Sequence, residues 1–348
     1  MKAYFINNSN FNHFINKLID CYPVIAATAV EQLFAFEKLE NASQLRLDYD
    51  ITILPPKKAF FPPKQLILRF KNGKFEGTVN PQKQILFGVH HYDLKAIEQT
   101  DFLFTENYED INYTAYRNAT TIVGSNIQNI SKRAFWGSIH HQSKAKGHDA
   151  FLTQLSDELN GYLFEVFSDK GEELLSLGIF QQATELQINQ AMQINDSIKD
   201  KCPEQLEDLT PATIKTIRQS FSNTALWDEL AKDCFSCGSC NITCPTCYCF
   251  NIEDNWNIDQ TSGQRTRYWD SCMTEDFAKI SSAGGQSENF RPTTGSRMRH
   301  RIMRKMVYLN EKLGTQACVG CGRCSISCTA DIADPVFIIK RIMEEYRC

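Results

Sequence analysis

The sequence predicts an α+β protein in three parts: an α/β domain over residues 1–200, a helical connection over 201–232 and a cysteine-rich domain over 233–348. Three observations predict it. Short β-rich runs broken by turn or helical segments occupy the first part, apolar residues recur at helical spacing in the second, and twelve of the 14 cysteines lie beyond residue 233. Only Cys21 and Cys202 precede that point.

The strand-like runs are 65–70, 74–79, 84–89, 120–123 and 162–167. Between residues 54 and 63 the sequence LPPKKAFFPP reads as an irregular loop, because two Pro-Pro pairs remove backbone donors and push the preceding residues out of helical space. Its pair Phe60-Phe61 is expected to pack on its own domain. Over 208–232, Leu209, Ile214, Ile217, Phe221, Leu226 and Leu230 follow a helical period, with Thr210-Pro211 as a helix start. A second helical stretch, 297–313, follows a Gly-, Ser- and Thr-rich loop at 281–296.

Composition narrows the chemistry. A chain of 348 residues that is 42% hydrophobic buries adequate cores without covalent staples, so its cysteines are not needed for stability. The net charge of −4 provides no global attraction to nucleic acid. The basic run Arg297, Arg299, His300, Arg301, Arg304 and Lys305 has no recognition motif beside it, so it is read as offsetting negative charge inside the protein or docking an acidic partner. No apolar run is long enough for a membrane span and the first twenty residues do not read as a signal peptide, which leads us to expect a cytoplasmic protein with reduced thiols. Cysteines there serve as ligands or redox groups.

Cys234-x2-Cys237-x2-Cys240-x3-Cys244-Pro245 has the spacing of bacterial ferredoxins, and Cys318-x2-Cys321-x2-Cys324-x3-Cys328 repeats it. Three cysteines at intervals of three wind a loop around three corners of an iron–sulfur cubane, and the fourth ligand arrives from elsewhere. In two-cluster ferredoxins the last cysteine of each run serves the other cluster. Two [4Fe–4S] clusters are therefore expected, one on Cys234, Cys237, Cys240 and Cys328, the other on Cys318, Cys321, Cys324 and Cys244. Gly238, Gly320 and Gly322 suit tight loops around such clusters. The alternative, a zinc-stabilised scaffold, favours paired knuckles over compact four-cysteine runs. Cys247, Cys249 and Cys272 are possible additional ligands or redox groups, or packed thiols, whereas Cys21, Cys202 and Cys348 receive no role. No P-loop, dinucleotide fingerprint or nucleophile elbow accompanies them, so no catalytic residue is assigned.

The stretch 234–250, the segment Arg267-Tyr268-Trp269-Asp270-Ser271-Cys272 and the run Cys318-Val319-Gly320-Cys321-Gly322-Arg323-Cys324 resemble the beta subunits of cytoplasmic sulfhydrogenases and the related electron-transfer subunit of anaerobic sulfite reductase. Leu54-Pro55-Pro56-Lys57-Lys58 and Leu86-Phe87-Gly88-Val89 extend the resemblance into the N-terminal part. It implies an electron-transfer protein with a flavin/NAD(P)-binding reductase subunit on one side. On the other side would stand the small and large subunits of a [NiFe] hydrogenase, or a siroheme sulfite reductase subunit. Family members also carry N-terminal cysteines at places occupied here by Tyr92, Ser125-Asn126 and Ala134-Phe135-Trp136, so that cluster is expected to be lost. His90, His91, His140 and His141 are the remaining soft donors nearby.

Overall fold

The computed structural model describes residues 2–139, 145–206, 209–281 and 284–346. The chain divides into two compact units: Met1–Phe61, Val79–Ser131 and Gln142–Cys202 form the first, and Pro62–Thr78, Lys132–His141 and Pro203–Cys348 the second.

The first unit is an α/β body around an eight-stranded mixed sheet. Its strands run in the order Gln181–Gln182, Lys2–Asn7, Gly161–Val166, Ala150–Gln154, Thr120–Ser125, Gln84–His90, Val24–Val30, Leu33–Lys38. The central pairings, from Val24–Val30 through Ala150–Gln154, are parallel, and the outer ones antiparallel. Parallel strands are covered on both faces, and Gln84–His90 accordingly buries every residue after Gln84. Helix Asn8–Cys21 is started by the Asn7 side chain, which accepts from the Asn10 amide at 2.8 Å. Phe11, Phe14, Ile15 and Leu18 then fall on one face and are buried. Phe60 and Phe61 are buried on their own unit as expected, against Tyr113 and Phe104 at ring distances of 5.5 and 5.2 Å.

At the position where a family cysteine is expected, Tyr92 belongs to an aromatic nest. Its hydroxyl lies 2.9 Å from His90 Nδ1 and donates to the Asp50 carbonyl at 3.1 Å, while the His90 ring stacks on Tyr49 at 3.8 Å. Flat rings and hydroxyls fill this place in lieu of thiolates. His140 and His141 lie outside the described residues.

The second unit contains a four-stranded antiparallel sheet, ordered Phe250–Trp256, Ser262–Trp269, Lys64–Lys71, Lys74–Gly77. Two stretches of the expected 1–200 domain, 62–78 and 132–139, thus pack with the cysteine-rich part. The joins are hydrogen bonds: Trp269 N donates to Pro63 O at 2.9 Å, Arg267 to Gln65 Oε1 at 2.6 Å and Phe135 N to Gly320 O at 2.8 Å. Helices Pro211–Gln219 and Thr224–Leu230 form within 201–232, the first capped by Thr210 with Pro211 at its opening position, and both belong to the second unit. Asp208, where that stretch was expected to begin, lies outside the described residues. The later helix runs as Thr294–Met303, a π turn Arg304–Tyr308 and Leu309–Leu313. With Pro335–Glu345 these helices enclose a core that includes Trp227, Ile217, Met298, Ile302, Met306 and Ile338. Among the described residues no helix is long and apolar enough to cross a membrane.

Trp227 is 1% exposed and its Nε1 donates to the Ser220 carbonyl at 2.8 Å. Trp227→Ala is expected to cost about 3–5 kcal/mol through lost burial and the cavity left behind. Anaerobic urea denaturation should show it as a lower midpoint for the second unit's transition.

Candidate metal centre

The two cysteine runs fold alike. In each, a loop ends at a left-handed glycine, Gly238 at φ 78° and Gly322 at φ 83°, and a one-turn helix follows, Ser239–Ile242 or Arg323–Ile326. Each short helix carries the third cysteine of its run, Cys240 or Cys324. The residues that close these turns, Thr243 and Ser327, touch through their hydroxyls at 3.0 Å. A Cβ on Gly322 would sit 2.4 Å from the Arg133 carbonyl oxygen, so only glycine allows the stretch around Arg133 to lie so close to the second run. Arg133 then ties that stretch down by pairing with Glu204 at 2.9 Å, Asp331 at 3.1 Å and Asp334 at 3.4 Å. No spacing rule in the sequence singles out Arg133.

The close contact of the two turns brings the sulfurs into two sets. Cys234, Cys237 and Cys240 line one cavity together with Cys328. Cys318, Cys321 and Cys324 line the other together with Cys244. The last cysteine of each run thus sits with the first three of the other. Among the described residues no three His, Cys, Asp or Glu side chains converge on a single-ion site. Zinc would require four sulfurs about 2.3 Å from one point; thiols spread around a cavity fit a polynuclear cluster.

Burial sets the electrostatics. It pushes the thiols of Cys240 and Cys318 up to about 12, and that of Cys324 upward as well, so thiolates here depend on nearby positive charge. Arg301 and Lys305 supply it, spaced four apart along the later helix and only 4% and 7% exposed. Burial opposes the charge on Arg301, but Cys240, Cys324, Cys244 and Cys247 outweigh it and raise its pKa well above the ordinary value. Lys305 is likewise opposed by burial and held charged by Cys244, Cys247 and Cys318, and it donates to the Thr246 hydroxyl. Arg304 donates to the Tyr248 hydroxyl. The basic helix therefore faces sulfur, which accounts for its charge without nucleic acid.

Three further thiols adjoin these sets. Cys247 is buried and hydrogen bonds to Cys244, holding the Cys244 thiol well below its usual range while its own rises. Cys272 is buried, Cys249 half-buried, and the two hydrogen bond to each other. The bond from Cys249, with another from Asn241 Nδ2 at 3.0 Å and the charges of Arg301 and Lys305, holds the Cys272 thiol down to about 6. Cys21 is exposed, Cys202 is buried, and Cys348 lies outside the described residues.

A duplicated four-cysteine run with exchanged fourth thiols and buried counter-charges defines an iron–sulfur protein, and residues 233–332 match the family described as 4Fe-4S dicluster domain. The whole chain is similar to sulfhydrogenase 2 subunit beta of Pyrococcus furiosus, 30% identical over 341 residues that cover 97% of this chain and 98% of the relative. This chain belongs to the sulfhydrogenase beta-subunit family. No solved structure matches it.

The exchange of fourth thiols separates two variants. Cys328→Ser is expected to perturb the centre held by Cys234, Cys237 and Cys240, and Cys244→Ser the one held by Cys318, Cys321 and Cys324. Electron paramagnetic resonance of the reduced protein checks this; signals altered in the variant's own run and not in the opposite one would refute the exchange. Arg301→Met removes a positive charge that both sulfur sets feel. A cation stabilises the more negative, reduced state, so both reduction potentials should fall in an anaerobic redox titration, with iron content unchanged.

Proposed function

We propose that this chain is the electron-transfer component of a cytoplasmic [NiFe] hydrogenase of the sulfhydrogenase type. It relays electrons between a flavin/NAD(P)-binding reductase subunit, on one side, and the hydrogenase small and large subunits on the other. The observation that carries the reading is the exchange of Cys244 and Cys328 between the two sulfur sets, which holds two redox sites side by side. Cys234, Cys237, Cys240 and Cys328 would hold one [4Fe–4S] cluster, and Cys318, Cys321, Cys324 and Cys244 the other. Such a cluster, when bound, supplies reversible one-electron transfer.

The residues of the chain do the rest. Arg301 and Lys305 compensate the negative charge that ligation and reduction place in the interior. The Cys247 thiol, bonded to Cys244, withdraws charge from one ligand of the second site and so favours its reduced state. Met273 and Met298 give the first cavity an apolar wall, and Phe135 and Ile302 the second, while Cys237 of the first set stays exposed. In this reading NAD(P)H oxidation and hydrogen chemistry belong to the partners.

Anaerobic copurification with iron, sulfide, nickel and flavin measured together tests the whole reading. The expected result is acid-labile sulfide matching the iron of two cubanes, with a nickel protein and a flavoprotein in the complex. A siroheme protein in place of nickel would assign the chain to an anaerobic sulfite reductase. Zinc without sulfide would make it a scaffold and overturn the proposal.

A further inference from the structure

We infer that Cys249 and Cys272 form a third redox centre, a dithiol that closes reversibly to a disulfide and exchanges electrons with the two cluster sites. The inference rests on the two-cluster reading above and goes beyond it, because neither thiol belongs to a ligand set.

Four observations carry it. The two thiols already hydrogen bond to each other. Their backbones are pinned where the strands meet: Asp270 N donates to Cys249 O at 3.0 Å, and Phe250 pairs with Trp269 on the next rung. Asn241, the residue after Cys240, links the pair to the ligands. Its Nδ2 donates to Cys272 Sγ at 3.0 Å and to the Ser271 hydroxyl at 3.1 Å, while its Oδ1 accepts from Arg301 Nε at 3.1 Å. The pair also stands beside both sulfur sets, since Cys240 feels the charge of Cys272, and Cys247, bonded to Cys244, feels that of Cys249.

Other uses of these thiols fit less well. Cys247 bonds Cys244, and among the described residues no three His, Cys, Asp or Glu side chains form a single-ion site around the pair. A buried pair kept only for packing would not need the Asn241 amide aimed at one sulfur.

The chemistry balances. On reduction the Cys249–Cys272 sulfur–sulfur bond breaks as two electrons arrive, one from each reduced [4Fe–4S] site. Two protons enter from solvent by way of the half-buried Cys249, which leaves two thiols. Closing the bond returns two electrons to the oxidised cluster sites and two protons to water. The dithiol would thus hold as a pair the electrons that the cluster sites carry singly.

The test uses the full chain, purified without oxygen and loaded with iron and sulfide. Samples poised across a range of potentials are quenched with iodoacetamide and mapped by mass spectrometry. Cys249 and Cys272 are expected to lose alkylation together as one linked peptide at oxidising potentials, and to regain it along a two-electron curve. In protein whose clusters have been reduced and the reductant removed, the reduced-cluster resonance signals should fade as the linked peptide disappears. Cys272→Ser should abolish the two-electron transition while iron and sulfide content stay unchanged, and Cys247→Ser should leave it in place. Both thiols alkylated at every potential, a link between a different pair, or a disulfide that opens with no loss of reduced-cluster signal would overturn the inference. Failure of the two-cluster reading is seen separately, as a preparation without acid-labile sulfide.

Discussion

A thiolate buried in protein is unstable without a cation beside it, and the cysteine-rich unit is organised around that constraint. Burial drives Cys240, Cys318 and Cys324 toward the neutral thiol. The opposing charge comes from Arg301 and Lys305, on a helix that also builds the apolar core with Met298, Ile302 and Met306. A single helix therefore serves both packing and charge compensation. Because Arg301 feels sulfurs of both sets, the electrostatics of the two sites are linked through one side chain.

The same economy appears in the supporting contacts. Asn241 accepts from Arg301 and donates to Ser271 and Cys272, so one buried amide joins the first ligand helix, the basic helix and the segment after strand Ser262–Trp269. Buried polar networks of this kind are stable only when their members are satisfied. The Arg133 pairs with Glu204, Asp331 and Asp334 do comparable work at the second run, where Gly322 leaves room for the Arg133 backbone. The aromatic nest of Tyr49, His90 and Tyr92 in the first unit offers stacked rings and hydroxyls at a place where relatives are expected to carry thiols.

Much of this was legible in the sequence because it is local. The duplicated spacing of the cysteine runs sets three thiols of each set within a few residues, and the precedent of two-cluster ferredoxins led to the expectation that Cys244 and Cys328 cross. The strand-like runs at 65–70, 84–89, 120–123 and 162–167 recur as strands, and Thr210-Pro211 opens a helix, since alternation and capping act within one turn or one strand. Sheet membership was not legible. Residues 64–71 read as another strand of the N-terminal part, yet they pair with 262–269, because strand pairing is settled by long-range fit.

By itself, then, the sequence determined the fold class, the eight ligand candidates and the presence of a basic helix beside them. It left Cys247, Cys249 and Cys272 as unassigned sulfur. Only the tertiary structure decided that Cys247 bonds Cys244 while Cys249 and Cys272 bond each other, and that Arg301 rather than its helical neighbours feels both sulfur sets. The reason is physical: ligand spacing is written along the chain, whereas the energy of a buried charge depends on which distant groups surround it.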